Sequence, residues 1–277
     1  LMIGASGHRY GWVVAEGGSQ SIADSMASLL REYGGAIETG VRVSSLSDIP
    51  PSDLVLLDTS PDTALRLYGS RLPNRVASAF RRFTPGPAAY KVDYAVTGGV
   101  PWTNPECGKA GTVHLGGTFD EIHRAEKACV AGEMPESPFM IVGQQYVADP
   151  GRASGDVVPL YAYAHVPAGY PGDAREALTA HIERYAPGFR DRIVATTVTD
   201  PWRLQAENEN HRGGDIVGGT NAGIKVVFRP RISPDPYSLG IPGAYLCSAS
   251  TPPGAGAHGM GGYNAAKSAL RYLGSRG

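Results

Sequence analysis

The chain has 277 residues, 42% of them hydrophobic, with 25 Lys and Arg against 26 Asp and Glu and a formal net charge of −1. That length suits one large domain or two intertwined ones. The near-neutral balance, with cations scattered along the chain, excludes nucleic-acid binding and an electrostatic attraction to anionic membranes. No apolar run reaches the roughly 20 residues that cross a bilayer, so no transmembrane segment is expected, while a surface patch leaves room for peripheral membrane contact. The 37 Gly and 22 Pro recur without a period, as in a loop-rich α/β enzyme rather than a fibrous or disordered chain. Cys107, Cys129 and Cys247 form no C-x-x-C pair. They read as buried free thiols of a reducing, cytoplasmic compartment, and no spacing suggests a metal.

In chain order, residues 1–16 are glycine-rich with an apolar patch at Trp12–Val14, and they read as a substrate-domain or linker segment. The spacing of Ile22, Met26, Leu29, Leu30 and Tyr33 predicts a helix over 20–33, opened by a Ser21/Asp24 capping pair and stopped by Gly34 and Gly35. Alternation over Ala36–Leu46 predicts a strand pair or ribbon. Ser52–Asp58 reads as a short strand buried on both faces, as in a parallel sheet. Residues 62–68 and 74–83 read as helices, and 88–96, 110–116, 138–146 and 158–166 as strands. Thr118-x-x-Glu121 and Asp173-x-x-Glu176 predict two further helix starts, the second helix ending before Pro187. Strands and helices without strict βαβ alternation predict a mixed, largely antiparallel sheet with helices on one side.

The last 34 residues carry the most information. Tyr245–Ala249 is an apolar run, Pro252–Gly262 is dense in Pro and Gly, and Tyr263, Ala266, Leu270 and Leu273 share one helical face. Strand, glycine loop and helix in that order aim free N–H groups and a positive dipole end at whatever lies over the loop. Gly254, Gly256 and Gly259 match G-x-G-x-x-G. A dinucleotide fingerprint, however, opens a βαβ unit with an acidic residue about 20 positions further on. Here the chain ends at Gly277. The unit therefore reads as the last crossover of a nucleotide-binding sheet, and an NAD-binding dehydrogenase lacks its context.

The segment Leu246-Cys247-Ser248-Ala249-Ser250-Thr251-Pro252-Pro253-Gly254-Ala255-Gly256-Ala257-His258-Gly259-Met260-Gly261-Gly262-Tyr263-Asn264 resembles the C-terminal flavin-contacting segment of phytoene desaturase-like FAD-dependent oxidoreductases, including the pyridine nucleotide-disulfide oxidoreductase domain 2 type. The resemblance extends upstream through nearly the whole chain. It implies a mixed α/β (α+β) fold: a partial FAD/NAD(P)-binding Rossmann-like domain, formed by 17–60 and 243–277, with a substrate domain inserted over 61–242. It also implies FAD as cofactor and a small lipophilic substrate that exchanges a hydride with flavin N5. The family's N-terminal glycine fingerprint and ribose-binding acid are not in this sequence, and Leu1 is not an initiator. The chain is thus expected to be the C-terminal portion of a longer enzyme, to need the FAD-binding segment or a partner chain, and to bind FAD weakly or not at all alone. An alternative is a non-catalytic remnant or interaction protein that needs a partner chain to complete its fold.

By position, the resemblance places Val43 with its backbone at the adenine and Thr59 in the turn leaving the FAD domain; from the residues alone, Val43 is a core valine. Ser248, Ala249 and Ser250 stand where many flavoproteins carry an acid near the ribityl chain. Gly254, Gly256, Gly259 and Met260 form the flavin loop, with the N–H groups of Gly259 and Met260 matched to flavin N1 and O2. Two residues are catalytic candidates. Lys91, in the strand Ala89–Val96, matches a lysine that holds water at flavin N5, while the residues alone equally allow a surface ion pair with Asp93. His258 lies in the flavin loop as a donor to flavin or substrate. His114 and His165, on strands, read as structural hydrogen-bonders.

Overall fold

The computed structural model describes residues 2–11 and 13–275, so Trp12 of the predicted apolar patch lies outside the described residues. Helix α1 (Met2–Tyr10) is followed by α2 (Gln20–Glu32). The predicted start of α2 is corrected: Ser21 Oγ donates to the Glu16 carbonyl at 2.7 Å, and Asp24 instead accepts from Gln20 Nε2 at 2.8 Å. The predicted apolar face is present, but none of the described residues covers it, since α2 has no buried residue and Ile22, Met26, Leu29, Leu30 and Tyr33 are all exposed. No strand forms over 36–46. Alternation alone does not make a strand without a partner ladder, and this stretch is irregular until a short 3₁₀ turn at Leu46–Asp48.

The two sheets divide the molecule. Strand β1 (Val55–Leu57) pairs in parallel with a strand near the C-terminus and is followed at once by α3 (Pro61–Tyr68) and α4 (Asn74–Arg81). Then come β2 (Ala88–Thr97), β3 (Thr112–Leu115), α5 (Phe119–Ala131), β4 (Met140–Gly143), β5 (Val157–Val166), α6 (Arg175–Tyr185), β6 (Ile193–Thr199) and α7 (Pro201–Glu207). The chain closes with β7 (Ala244–Leu246) and α8 (Met260–Gly274). Strands β3-β4-β5-β2-β6 form one antiparallel sheet, and β1-β7 form the parallel pair. This is the mixed α/β class expected from the sequence.

The antiparallel sheet is organised by the ten-residue ladder between β2 and β5, from Ala88↔Val166 to Thr97↔Val157. Period two buries Tyr90, Val92, Tyr94 and Val96 on one face, where Leu178, Ile182 and Phe189 cover them. Tyr94 meets Phe189 edge-on at 5.3 Å between centroids, and its hydroxyl lies 3.0 Å from Thr179 Oγ1. The opposite face carries Lys91, Asp93, Tyr161 and Tyr163. Thr118 and Glu121 make the predicted reciprocal capping box on α5. At α6 the predicted reciprocal cap does not form: the N-cap position falls on Ala174 without a side-chain cap, Asp173 accepts from Arg175 N at 2.8 Å, and Glu176 pairs with Arg190.

Around the parallel pair, Leu57, Ala64, Leu67, Val76, Phe80 and Leu246 form a second core. Helices α3 and α4 thus bury their apolar faces in the same core as β1 and β7. Strand β1 is covered on one face only, with Leu57 8% and Leu56 38% exposed, which corrects the expectation of burial on both. The predicted face of α8 is also corrected: Tyr263 is 57% and Leu270 63% exposed, while Ala265, Ser268 and Ala269 are buried. The cause is close approach. A Cβ at Gly261 would stand 2.5 Å from the Cys247 carbonyl oxygen, so the helix docks by its smallest residues.

Candidate functional site

The carboxyl ends of β1 and β7 lie side by side, the position where open α/β sheets bind ligands. Asp58, Thr59 and Ser60 leave β1, and Ser248, Ala249 and Ser250 leave β7. Together with Asn210, His211 and Gly218 they line a cleft of about 140 Å³. The turn after β7 is tightly held, since Thr251 N and Oγ1 both donate to the Ser248 carbonyl, at 2.9 and 2.7 Å. Ser60 N donates to Asn210 Oδ1 at 2.7 Å, which ties the first turn to the stretch behind α7.

The glycine loop continues from this turn. Gly254, Gly256 and Gly259 have φ of 106°, 147° and 63°, in the region L side chains avoid. His258 sits at the mouth of α8, where its Nδ1 accepts from Met260 N at 3.0 Å. The Met260 amide, expected to face a flavin, is thus engaged by the imidazole.

Beneath the loop lies a polar frame. Asp215, 3% exposed, accepts from Gly86 N at 2.8 Å, Val217 N at 2.8 Å and Gly219 N at 2.7 Å. This fixes the 215–219 turn against the cleft, where a Cβ at Gly218 would come within 2.9 Å of the Ala249 carbonyl carbon. Arg229, also 3% exposed, donates through Nη2 to the Gly218 and Gly219 carbonyls at 2.8 and 3.1 Å, and through Nη1 to Asn221 Oδ1 at 2.9 Å. Its Nη1 fills the space a Cβ on Gly254 would take. Arg229 therefore couples the 217–219 turn to the glycine loop. Neither Asp215 nor Arg229 was singled out from the sequence. The one signal was the density of glycine on both sides of Asp215, at Gly213, Gly214, Gly218 and Gly219.

Desolvation raises the Asp58 carboxyl above its ordinary value. Burial, with Asp58 adding to it, pushes the Cys247 thiol up to about 11, so this thiol, just before the cleft residue Ser248 and outside the cleft lining, is neutral rather than a nucleophile. The cleft itself offers hydroxyls, amides and backbone, with the Asp58 and Asp215 carboxylates and the His211 imidazole, groups that can hydrogen-bond one end of a polar ring. A volume near 140 Å³ takes an edge of a cofactor, since whole-ligand pockets run to about 300–1,000 Å³.

Of the residues singled out from sequence, Thr59, Ser248, Ala249 and Ser250 meet in the cleft, and Gly254, Gly256, His258, Gly259 and Met260 form the adjoining loop. Val43 packs at the margin of the core under the parallel pair. Lys91 lines neither the cleft nor the loop. It lies on the open face of the antiparallel sheet, its Nζ 2.6 Å from Asp93 Oδ2 and 5.8 Å from the Tyr161 ring centroid. His165 Nδ1 is 2.8 Å from Glu126 Oε1, and His114 stacks on Phe139. Among the described residues no group of His, Cys, Asp and Glu is placed to hold a metal, and no helix is long and apolar enough to cross a membrane.

No protein-family model matches the sequence. Over 93 residues, a third of the chain, it is 34% identical to pyridine nucleotide-disulfide oxidoreductase domain-containing protein 2 of Mus musculus, a stretch that spans 16% of that protein. The fold is shared with the crystal structure of an oxidoreductase from Methanosarcina mazei, at TM-score 0.55 and 17% identity, over 87% of this chain and 51% of that one. The chain therefore corresponds to about half of that solved protein.

Proposed function

We propose that this chain is the flavin-facing part of an FAD-dependent oxidoreductase that moves a hydride or its equivalent between a lipophilic carbon substrate and the cofactor. The observation that carries this is the β7, glycine turn and α8 unit. It lays three positive-φ glycines and a helix N-terminus beside a polar cleft at the carboxyl ends of a parallel pair. Both similar proteins bear oxidoreductase names, which supports the same class.

FAD, when bound, supplies a hydride-exchanging N5. The chain's own residues orient the ring and stabilise charge. Gly259, with open space where a Cβ would stand, would admit the ring edge close to the backbone, while the missing side chains of Gly254 and Gly256 make room for Arg229 and His258. The N-terminus of α8 offers its positive dipole end where negative charge gathers on reduction. Ser248 and Ser250 present hydroxyls at the turn, and Thr59 a hydroxyl opposite. His258, which accepts from the Met260 amide, would have to release it for that N–H to meet a bound ring and for the imidazole to reach the substrate. Lys91, now paired with Asp93, would be the residue to hold a water for the ring, and the Val43 backbone would be the contact for the adenine. The lipophilic substrate rests on the family resemblance.

A second reading is favoured by the exposed apolar faces of α2 and α8 and by Leu56: a chain that works only when a partner segment covers these faces. Titrating FAD into the chain, followed by flavin fluorescence, with NAD as competitor, separates the two. We expect weak, saturable quenching of FAD that Gly256→Val removes and that NAD does not displace. FAD binding indifferent to Gly256→Val, or displaced by NAD at equal concentration, contradicts the proposal, and a chain that becomes folded or active only when a partner segment covers α2 and α8, with no flavin bound, favours the second reading.

A further inference from the structure

A second cavity, of about 390 Å³, opens between α4 and the 220–232 segment that leads towards β7, and it shares no residue with the cleft. Its walls are of two kinds. Phe83, Ile224, Phe228 and Ile232 give an apolar lining, and Ile224, Phe228 and Ile232 are themselves exposed. Arg75, Arg82, Lys225, Arg229 and Arg231 give five cations, with no Asp or Glu in the lining.

The five cations share a further property. The ion pairs among the described residues involve none of them. Lys225 reaches Thr84 Oγ1 at 3.3 Å, and Arg231 donates to the Asp235 and Ser238 carbonyls at 3.1 and 2.7 Å. The carboxylates whose fields reach the inner arginines are otherwise engaged. Asp215 serves three backbone N–H groups, and Asp235 takes the Ser268 hydroxyl and the amides of Tyr237 and Ser238. The Nε atoms of Arg229 and Arg231 are buried and have no hydrogen-bond partner, and burial pulls both guanidinium groups below their ordinary values. Buried donors without acceptors are costly, and a cluster of cations without anions more so. An apolar cavity with a wholly cationic rim matches a molecule with an anionic head and a hydrocarbon tail.

We propose that this cavity binds a single-chain amphiphile with an anionic head, a fatty-acid carboxylate being the simplest. The head sits among Arg75, Arg82 and Arg231, and the chain lies along Phe83, Ile224, Phe228 and Ile232. The site does not depend on the flavin reading. Arg75 and Arg82 are exposed, so replacing them leaves the core intact.

Calorimetric titration with laurate, below its micelle concentration, tests the site. The expected result is saturable binding of laurate, with dodecanol about tenfold weaker and inorganic phosphate without a signal. The double variant Arg75→Gln/Arg82→Gln weakens laurate by about tenfold or more. It leaves the circular dichroism melt and the FAD response unchanged. Ile224→Ser weakens laurate and dodecanol together. Phosphate binding as tight as laurate, laurate affinity unchanged in the double variant, or binding seen only with phosphatidylglycerol vesicles would each overturn the proposal, the last in favour of membrane docking.

Discussion

Asp215 offers the sharpest test of how the cleft is held. Its carboxylate is 3% exposed and takes three backbone N–H groups, two on Oδ2 and one on Oδ1, from Gly86, Gly219 and Val217. Asp215→Ala orphans all three donors. At about 1–3 kcal/mol for each buried unsatisfied group, the sum is about 3–9 kcal/mol, and relaxation of the turn towards water brings it to the lower part of that range. Asp215→Asn keeps one acceptor oxygen. Turned to serve Gly86 and Gly219, it sets its NH₂ against Val217 N–H and leaves two donor groups, that N–H and its own NH₂, without an acceptor, for about 2–6 kcal/mol before the turn relaxes. Urea unfolding of the three proteins, read as a midpoint shift at constant slope, gives both numbers. An alanine variant within about 0.5 kcal/mol of the parent would refute the account of the frame. An asparagine variant as costly as the alanine one would show that charge, not hydrogen bonding, holds the turn.

Other expectations follow from single contacts. Gly261→Ala forces a Cβ against the Cys247 carbonyl and should cost about 1–3 kcal/mol in the same unfolding assay, with loss of hydrogen-exchange protection in α8. At pH 8, Cys129 and Cys247, whose thiols burial pushes up to about 12 and about 11, should resist alkylation in the native protein and react on unfolding, as mass spectrometry would show. The Glu121 carboxylate is held at about 2 by the Thr118 amide and Arg184. Because its folded value lies below the unfolded one near 4.5, its contribution is complete above pH 4.5 and is lost as pH falls through about 2. Glu121→Gln should flatten the acid limb of a stability profile, and an unchanged limb would contradict the capping account.

Much of the fold was legible because local rules decided it. The capping box at Thr118 and Glu121 and the alternation of Tyr90, Val92, Tyr94 and Val96 needed no tertiary information. Strand β6 was missed because its Thr-rich run, Ile193–Thr199, lies largely open at a sheet edge and shows no alternation of burial. The apolar spacing along α8 pointed to Tyr263 and Leu270, yet the helix docks on Ala265, Ser268 and Ala269. Steric access to the Cys247 carbonyl outweighed hydrophobicity there, and spacing alone does not report it. The cleft residues Thr59 and Ser248–Ser250 were legible from the resemblance. Asp215 and Arg229 were not, since what they hold, Gly86 at 129 residues' distance and the 217–221 turn about ten residues before Arg229, is mostly backbone and leaves no pattern of side chains.

The central claim is that the glycine turn and the cleft beside it receive the ring of a flavin. Amide chemical shifts of the ¹⁵N-labelled chain, recorded as FAD is added, test it most directly. The account predicts saturable shifts concentrated at Thr59, Ser248–Ser250 and Gly254–Met260, with the Met260 amide changing as His258 releases it. Shifts confined to other surfaces, with that loop unmoved, would contradict it.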